Sequence, residues 1–225
     1  NMDFFEYTQA EVDALCKKDK LLGEHIVKIG MIEREVIPDL FSALINSIIG
    51  QQISTKAQVT IWRRMCNAID TITPEAICSL SEEEIQAFGL TMKKAGYIRR
   101  IAEKIVCGEL NLAELYELPD DEVCKRLSSL DGIVVWTAEM LMMFSMQRRD
   151  IFSFGYLAIH RGLRMVYRHE KVSRELFEKY RRRYSPHCSV ASLYLWRIAT
   201  GEYGLTDPAP GKKSITAKSG KQVSK

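Results

Sequence analysis

Apolar residues recur at three- and four-residue intervals along almost the whole chain, a period that suits helices and leaves little room for sheet. Pro38 opens one such run, with apolar positions at Leu40, Phe41, Leu44, Ile45, Ile48 and Ile49, and Gly50 stops it. Ser54 or Thr55 can N-cap a second helix through Val59, Ile61, Trp62 and Met65. Ser81 and Glu84 read as a capping box ahead of Ile85 and Phe88. Residues 93–106 are amphipathic and end at Gly108, and Pro119 with Asp120 and Asp121 starts a helix through Val123 and Leu127. Further helices are predicted over 136–144, 156–167, 173–180 and 188–200. Strict alternation is scarce, so the expected class is all-α.

The chain has 225 residues, 46% hydrophobic and 27% charged, an ordinary globular balance that excludes disorder throughout. No stretch approaches 18 uncharged apolar residues, so no membrane span is predicted. The first residues lack a basic segment followed by an apolar one, so no secretory leader is expected. Net charge is +3, but five lysines follow Asp207 and no acid does, which leaves residues 1–207 at about −2. Any nucleic-acid face must therefore be a local patch. Residues 206–225 carry Pro, Gly, Ser and Lys without periodicity and read as a flexible basic tail, a nonspecific DNA tether if the body binds DNA. Residues 1–35 read as a separate opening segment, helical from about Thr8 and packed on the core. The cysteines at 16, 66, 78, 107, 124 and 188 form no CxxC pair, which argues against zinc or iron–sulfur ligation and for buried, reduced thiols.

Residues 127–144, LSSLDGIVVWTAEMLMMF, carry the functional argument. A helix end, an acid, a glycine-containing turn and a second apolar helix describe a helix-hairpin-helix. Free backbone N–H groups in such a turn, together with the following helix N-terminus, can hold a phosphate without a side-chain charge.

Five ordered blocks surround and include that hairpin: ALINSIIGQQIS (43–54), GLTMKKAGYIRRIAEKI (89–105), LDGIVVWTAEMLMMF (130–144), DIFSFGYLAIHRGL (150–163) and SPHCSVASLYLWRIA (185–199). Together they resemble the helix-hairpin-helix (HhH-GPD) DNA glycosylases, in the branch of the bacterial 3-methyladenine-DNA glycosylase II type, over about residues 36–200. The resemblance implies two helical lobes with the hairpin beside a cleft, and a core over 36–205. It implies a partner, duplex DNA, whose damaged nucleotide is flipped into that cleft. It implies a monomer working in the bacterial cytoplasm at the nucleoid, with no cofactor and no side-chain metal ligands; a monovalent ion can sit on the hairpin backbone over 130–135.

Residue by residue, Trp136 stands where lyase-active relatives carry a Schiff-base lysine, so the resemblance implies a monofunctional enzyme that uses water. Trp136, Met140 and Trp196 fall at base-pocket positions, where aromatic faces suit cationic alkylated purines such as 3-methyladenine or 7-methylguanine. Gln51, Gln52 and Ile53 match the loop that supplies a wedge, with Gln52 the expected wedge residue, and Ser54 is a further expected DNA contact. Gly132, Val134 and Thr137 belong to the phosphate-holding hairpin, and Lys93 and Lys94 are further phosphate contacts.

Two positions depart from the family pattern. The turn reads Gly132-Ile133-Val134 where a second glycine is usual, and a β-branched residue fits badly if that position needs a positive φ. Tyr156 stands at the position of the catalytic aspartate, and a neutral phenol cannot supply the charge that stabilises an oxocarbenium-like sugar. Tyr156 is compatible with an inactivated or retuned glycosylase, with a lesion- or structure-specific DNA-binding protein that does not cut, or with an enzyme confined to bases that leave easily.

Overall fold

The computed structural model describes residues 2–209. Thirteen helices and a two-stranded ribbon make up the described chain. The first lobe holds α3 (Leu40–Ile49), α4 (Thr55–Ala68), α5 (Pro74–Cys78), α6 (Glu82–Gln86), α7 (Met92–Val106), α8 (Leu112–Leu115), α9 (Asp120–Ser128) and α10 (Val135–Phe144). The second is built from both ends of the chain: α1 (Gln9–Lys18), α2 (Lys20–Ile29), α11 (Leu157–Tyr167), α12 (Arg174–Tyr184) and α13 (Cys188–Ala199).

Local chemistry sets the helix starts. Thr8 and Ser81 each complete a capping box, with Glu11 and Glu84. Ser54, Thr73, Thr91 and Ser173 each accept an N–H from the first turn that follows. Helix α9 begins after Pro119 with three acids in its first turn and no side-chain cap, so charge against the helix dipole replaces the cap.

The described part of the opening segment, residues 2–35, packs on the core. Phe5, Val12, Leu15, Leu22 and Ile26 belong to the same buried cluster as Leu44, Ile98, Leu163 and Leu195. A short ribbon, β1 (Asp3–Phe4) antiparallel to β2 (Glu35–Val36), closes the segment onto the start of the first lobe. The buried Asp19 fastens it further: it caps α2 through the Leu22 N–H (2.9 Å) and accepts from the Tyr167 hydroxyl (2.6 Å) and Arg183 Nη1 (2.8 Å). The core is apolar enough to need this segment, because α11 and α13 would otherwise expose the faces that α1 and α2 cover.

Helices α11 and α13 cross closely at Gly162, where a Cβ would come within 2.5 Å of the Leu195 carbonyl oxygen. That approach sets where the head of α11, and hence Tyr156, meets the first lobe. The tail boundary expected at 206 moves outward. Arg164 grips Asp207 through two bonds, Nε to Oδ1 (2.9 Å) and Nη2 to Oδ2 (2.7 Å), and Arg168 reaches the Thr206 carbonyl. The remainder of the predicted tail, 210–225, lies outside the described residues. Among the described residues, no helix is long and apolar enough to cross a membrane.

Candidate nucleic-acid interface and base pocket

A groove of about 690 Å³ opens where the loop after α3, the start of α7 and the α9–α10 turn converge. Its lining includes Gln51, Gln52, Lys93, Lys94, Gly132, Val134, Trp136 and Thr137. Those eight positions come from three separate sequence blocks, and folding brings them to one surface.

The turn between α9 and α10 is the expected hairpin. Gly132 has φ +85°, and a Cβ there would lie 2.6 Å from the Tyr97 ring, so both backbone and packing require glycine. Val134 does not need a positive φ. It sits at φ −81°, ψ 166°, ordinary extended backbone, so the strain anticipated for a β-branched residue is absent. Its side chain is 63% exposed. No side chain caps α10, which leaves the N–H groups of its first turn open toward the groove.

The loop after α3 is tied to this turn. Gln51 Nε2 donates to the Gly132 carbonyl at 2.6 Å, and Lys94 Nζ donates to the carbonyls of Ile49 (2.9 Å) and Gln51 (2.5 Å). Just past those anchors Gln52 adopts φ +57° and is exposed, as is Ile53, which also lines the groove. Two expected DNA contacts are spent elsewhere. The Lys94 ammonium closes the C-terminal end of α3 instead of pointing to solvent, and burial lowers its pKa from the usual lysine range. Ser54 caps α4 by accepting the Ala57 N–H at 3.1 Å and does not line the groove. Lys93 remains exposed, with its Nζ 5.9 Å from the Tyr97 ring centroid. On the backbone over 130–135, the carbonyls of Leu130 and Gly132 already accept N–H donors, from Ile133 and Gln51.

The three residues expected around the base do not enclose one open pocket. Trp136 lies beside Tyr156, ring centroids 6.2 Å apart and tilted by 57°. Met140 and Phe144 instead line a smaller cavity of about 260 Å³ against α3 and β2. Trp196 is covered by a residue that sequence reasoning missed. The Arg34 guanidinium carbon lies 4.3 Å from the Trp196 ring centroid and 4.4 Å from that of Phe144. The same guanidinium stands beside the Tyr156 phenol. Burial raises the Tyr156 pKa, and Arg34 only partly offsets it, so the hydroxyl is neutral at pH 7.

Glu139 and Asp150 each have partners of their own. Glu139 accepts from Ser153 Oγ at 3.1 Å, and burial raises its pKa. Asp150 holds the start of α13, accepting from Ser185 Oγ (2.6 Å) and the Cys188 N–H (3.2 Å). Burial opposes its ionisation, but those bonds outweigh it and lower its pKa. Of the six cysteines only Cys188 is buried, whereas Cys66 and Cys107 are exposed, because they face outward on α4 and just past α7. Burial and the nearby Asp150 push the Cys188 thiol far up, which rules it out as a nucleophile. Among the described residues, no cluster of three or more His, Cys, Asp or Glu side chains could hold a metal.

An all-α, two-lobed chain with an uncapped hairpin helix beside a groove is the architecture of a helix-hairpin-helix DNA-repair protein. The profile of the HhH-GPD superfamily of base excision DNA repair proteins matches residues 45–186, and the chain belongs to that family. It is 30% identical over 185 residues to DNA-3-methyladenine glycosylase 1 of Schizosaccharomyces pombe, covering 80% of this chain and 79% of that protein. A solved DNA-3-methyladenine glycosidase of Bacillus halodurans superposes with a TM-score of 0.80 at 31% identity, over 90% of this chain and 94% of the other. The fold is shared too with a 3-methyladenine DNA glycosylase of Schizosaccharomyces pombe solved with abasic DNA, at TM-score 0.72 and 24% identity, over 85% and 97%.

Proposed function

We propose that the chain is a monofunctional DNA N-glycosylase that binds duplex DNA as a monomer and removes alkylated purines whose positive charge already makes them good leaving groups. The observation that carries this reading is the groove. It joins open hairpin N–H groups, an exposed Gln52 and the Trp136 ring, with Tyr156 beside that ring. The names of the most similar relatives support the same chemistry. The cytoplasmic, nucleoid-associated setting is part of the same proposal.

In this reading the N–H groups of the α10 first turn hold a phosphate, Gln52 fills the gap left in the duplex, and the damaged nucleotide turns toward Trp136. The N-glycosidic bond breaks with its electron pair going to the base. Water adds to the anomeric carbon and gives up a proton to solvent. An indole at 136 forms no Schiff base, so the backbone stays intact. A neutral Tyr156 contributes no charge to the sugar cation, and the adjacent Arg34 opposes that cation. Chemistry is therefore slow for neutral bases, and cationic purines depart without the missing carboxylate.

The test is excision of 3-methyladenine and of a neutral lesion by this chain and by Tyr156→Asp. Slow release of 3-methyladenine by the unaltered chain is expected, with the neutral lesion gaining about 10²–10³ in rate in the variant. Equal rates for the two proteins would remove Tyr156 as the cause of the deficit. A second reading, a lesion- or structure-binding protein that never cuts, is favoured by the combination of Tyr156 and a filled aromatic slot. Tight binding to an abasic-site duplex with no release of any base would establish it. A borohydride-trapped adduct would overturn the monofunctional assignment.

A further inference from the structure

Arg34 lies outside every sequence block of the family resemblance, yet its guanidinium stands against Trp196, one of the expected base-pocket residues, and beside the Tyr156 phenol. It lies over both the Phe144 and the Trp196 ring, at 4.4 and 4.3 Å from their centroids. Its backbone is fixed. The Arg34 carbonyl accepts the Phe5 N–H at 2.8 Å, and the next residue, Glu35, pairs with Phe4 in the ribbon. Only the side chain is free to leave the slot.

How the guanidinium is held distinguishes it from the structural arginines. Arg148 donates to the carbonyls of Leu115 and Leu118 and to Asp120. Arg149 is bound to Glu11, and Arg164 to Asp207 through both carboxylate oxygens. Arg34 is paired with no carboxylate among the described residues. Two aromatic faces and a neutral phenol hold it; Glu35 offsets its burial only in part, and Arg197, whose guanidinium carbon lies 5.2 Å from the Trp196 ring centroid, opposes it. Such a group is the easiest kind of buried cation to displace. The same two faces attract any flat cation through the ring quadrupole, and two cations cannot share one slot.

We propose that Arg34 is a resident occupant of the base slot between Phe144 and Trp196, and that a purine cation enters only by displacing its guanidinium. The proposal deepens the glycosylase reading, since it takes Trp196 as a base-stacking residue, but it requires no bond to be cut.

The experiment uses the full chain, Arg34→Ala and Arg34→Lys, with the permanently charged 3,9-dimethyladeninium ion as probe. Binding is read by quenching of tryptophan fluorescence, and cooperative thermal unfolding certifies each variant. Arg34→Ala is expected to bind the probe about tenfold tighter, with Arg34→Lys at about threefold. Affinity for a duplex carrying a tetrahydrofuran abasic analogue stays the same, because that DNA brings no base to the slot. Unchanged or weaker probe binding overturns the proposal, and so does an equal change on the abasic duplex, which would make Arg34 a DNA contact. If Arg34→Ala fails to fold, the Arg34→Lys result decides alone, and no gain there overturns it. Tightening without base excision by any form would sink the glycosylase reading and leave the placeholder standing.

Discussion

Two helices begin near the groove without a side-chain cap, α10 after Val134 and α11 after Tyr156. The family resemblance marks both positions as substituted, and on that reading the consequences are opposite. At α10 the expected ligand is held by backbone N–H groups, and a valine with ordinary φ and ψ leaves them where a glycine would. At α11 the resemblance implies a side-chain charge. In the proposed reading the neutral Tyr156 phenol does not supply it, and the neighbouring Arg34 guanidinium has the opposite sign. A site made of main chain tolerates a change of residue that a site made of one carboxylate cannot.

The contrast can be broken from either side. Tyr156→Asp carries the largest expected effect, the rate gain on a neutral lesion given above, with abasic-duplex affinity unchanged. Gly132→Ala should come next. A Cβ at φ +85° against the Tyr97 ring is expected to cost about 2 kcal/mol of stability and tenfold or more in abasic-duplex affinity, read by thermal unfolding and a binding titration. Acid should separate contacts made by charge from those made by backbone. The Arg164 hydrogen bonds hold the Asp207 carboxyl down at about 2. Because this folded-state value lies below the unfolded one, the clamp's contribution is complete above about pH 4 and disappears as pH falls toward 2. It amounts to about 1 kcal/mol after allowance for partial exposure. Asp207→Asn should abolish that part of the acid transition, and an unaltered titration would show the clamp contributes nothing. Val134→Gly is the smallest change, under about threefold in abasic-duplex affinity. A tenfold gain would mean that the exposed isopropyl group obstructs the phosphate after all.

Most of the helices were legible because their boundaries are local. Ser54, Ser81, Thr91 and Ser173 announce a helix within three residues of themselves, and Gly132 announces the hairpin. Residues whose roles depend on distant parts of the chain were not. Lys94 looks like a solvated helix lysine until its two carbonyl partners, more than 40 residues away, come into view. Arg34 sits in a stretch without periodicity, and its aromatic partners lie more than 100 residues further along. The ribbon is two residues per strand, too short for any alternation to register. The groove could be assembled from motifs, whereas the occupant of the base slot could be found only in three dimensions.

The bond from Gln51 to the Gly132 carbonyl joins the loop after α3 to the hairpin turn, and Lys94 braces the same loop. With the proposed roles of wedge and phosphate grip, gripping and probing are performed by one stiff part. A molecule scanning a duplex with such a part has no way to rest on a phosphate while withholding its finger. On the proposed reading each landing is also an inspection.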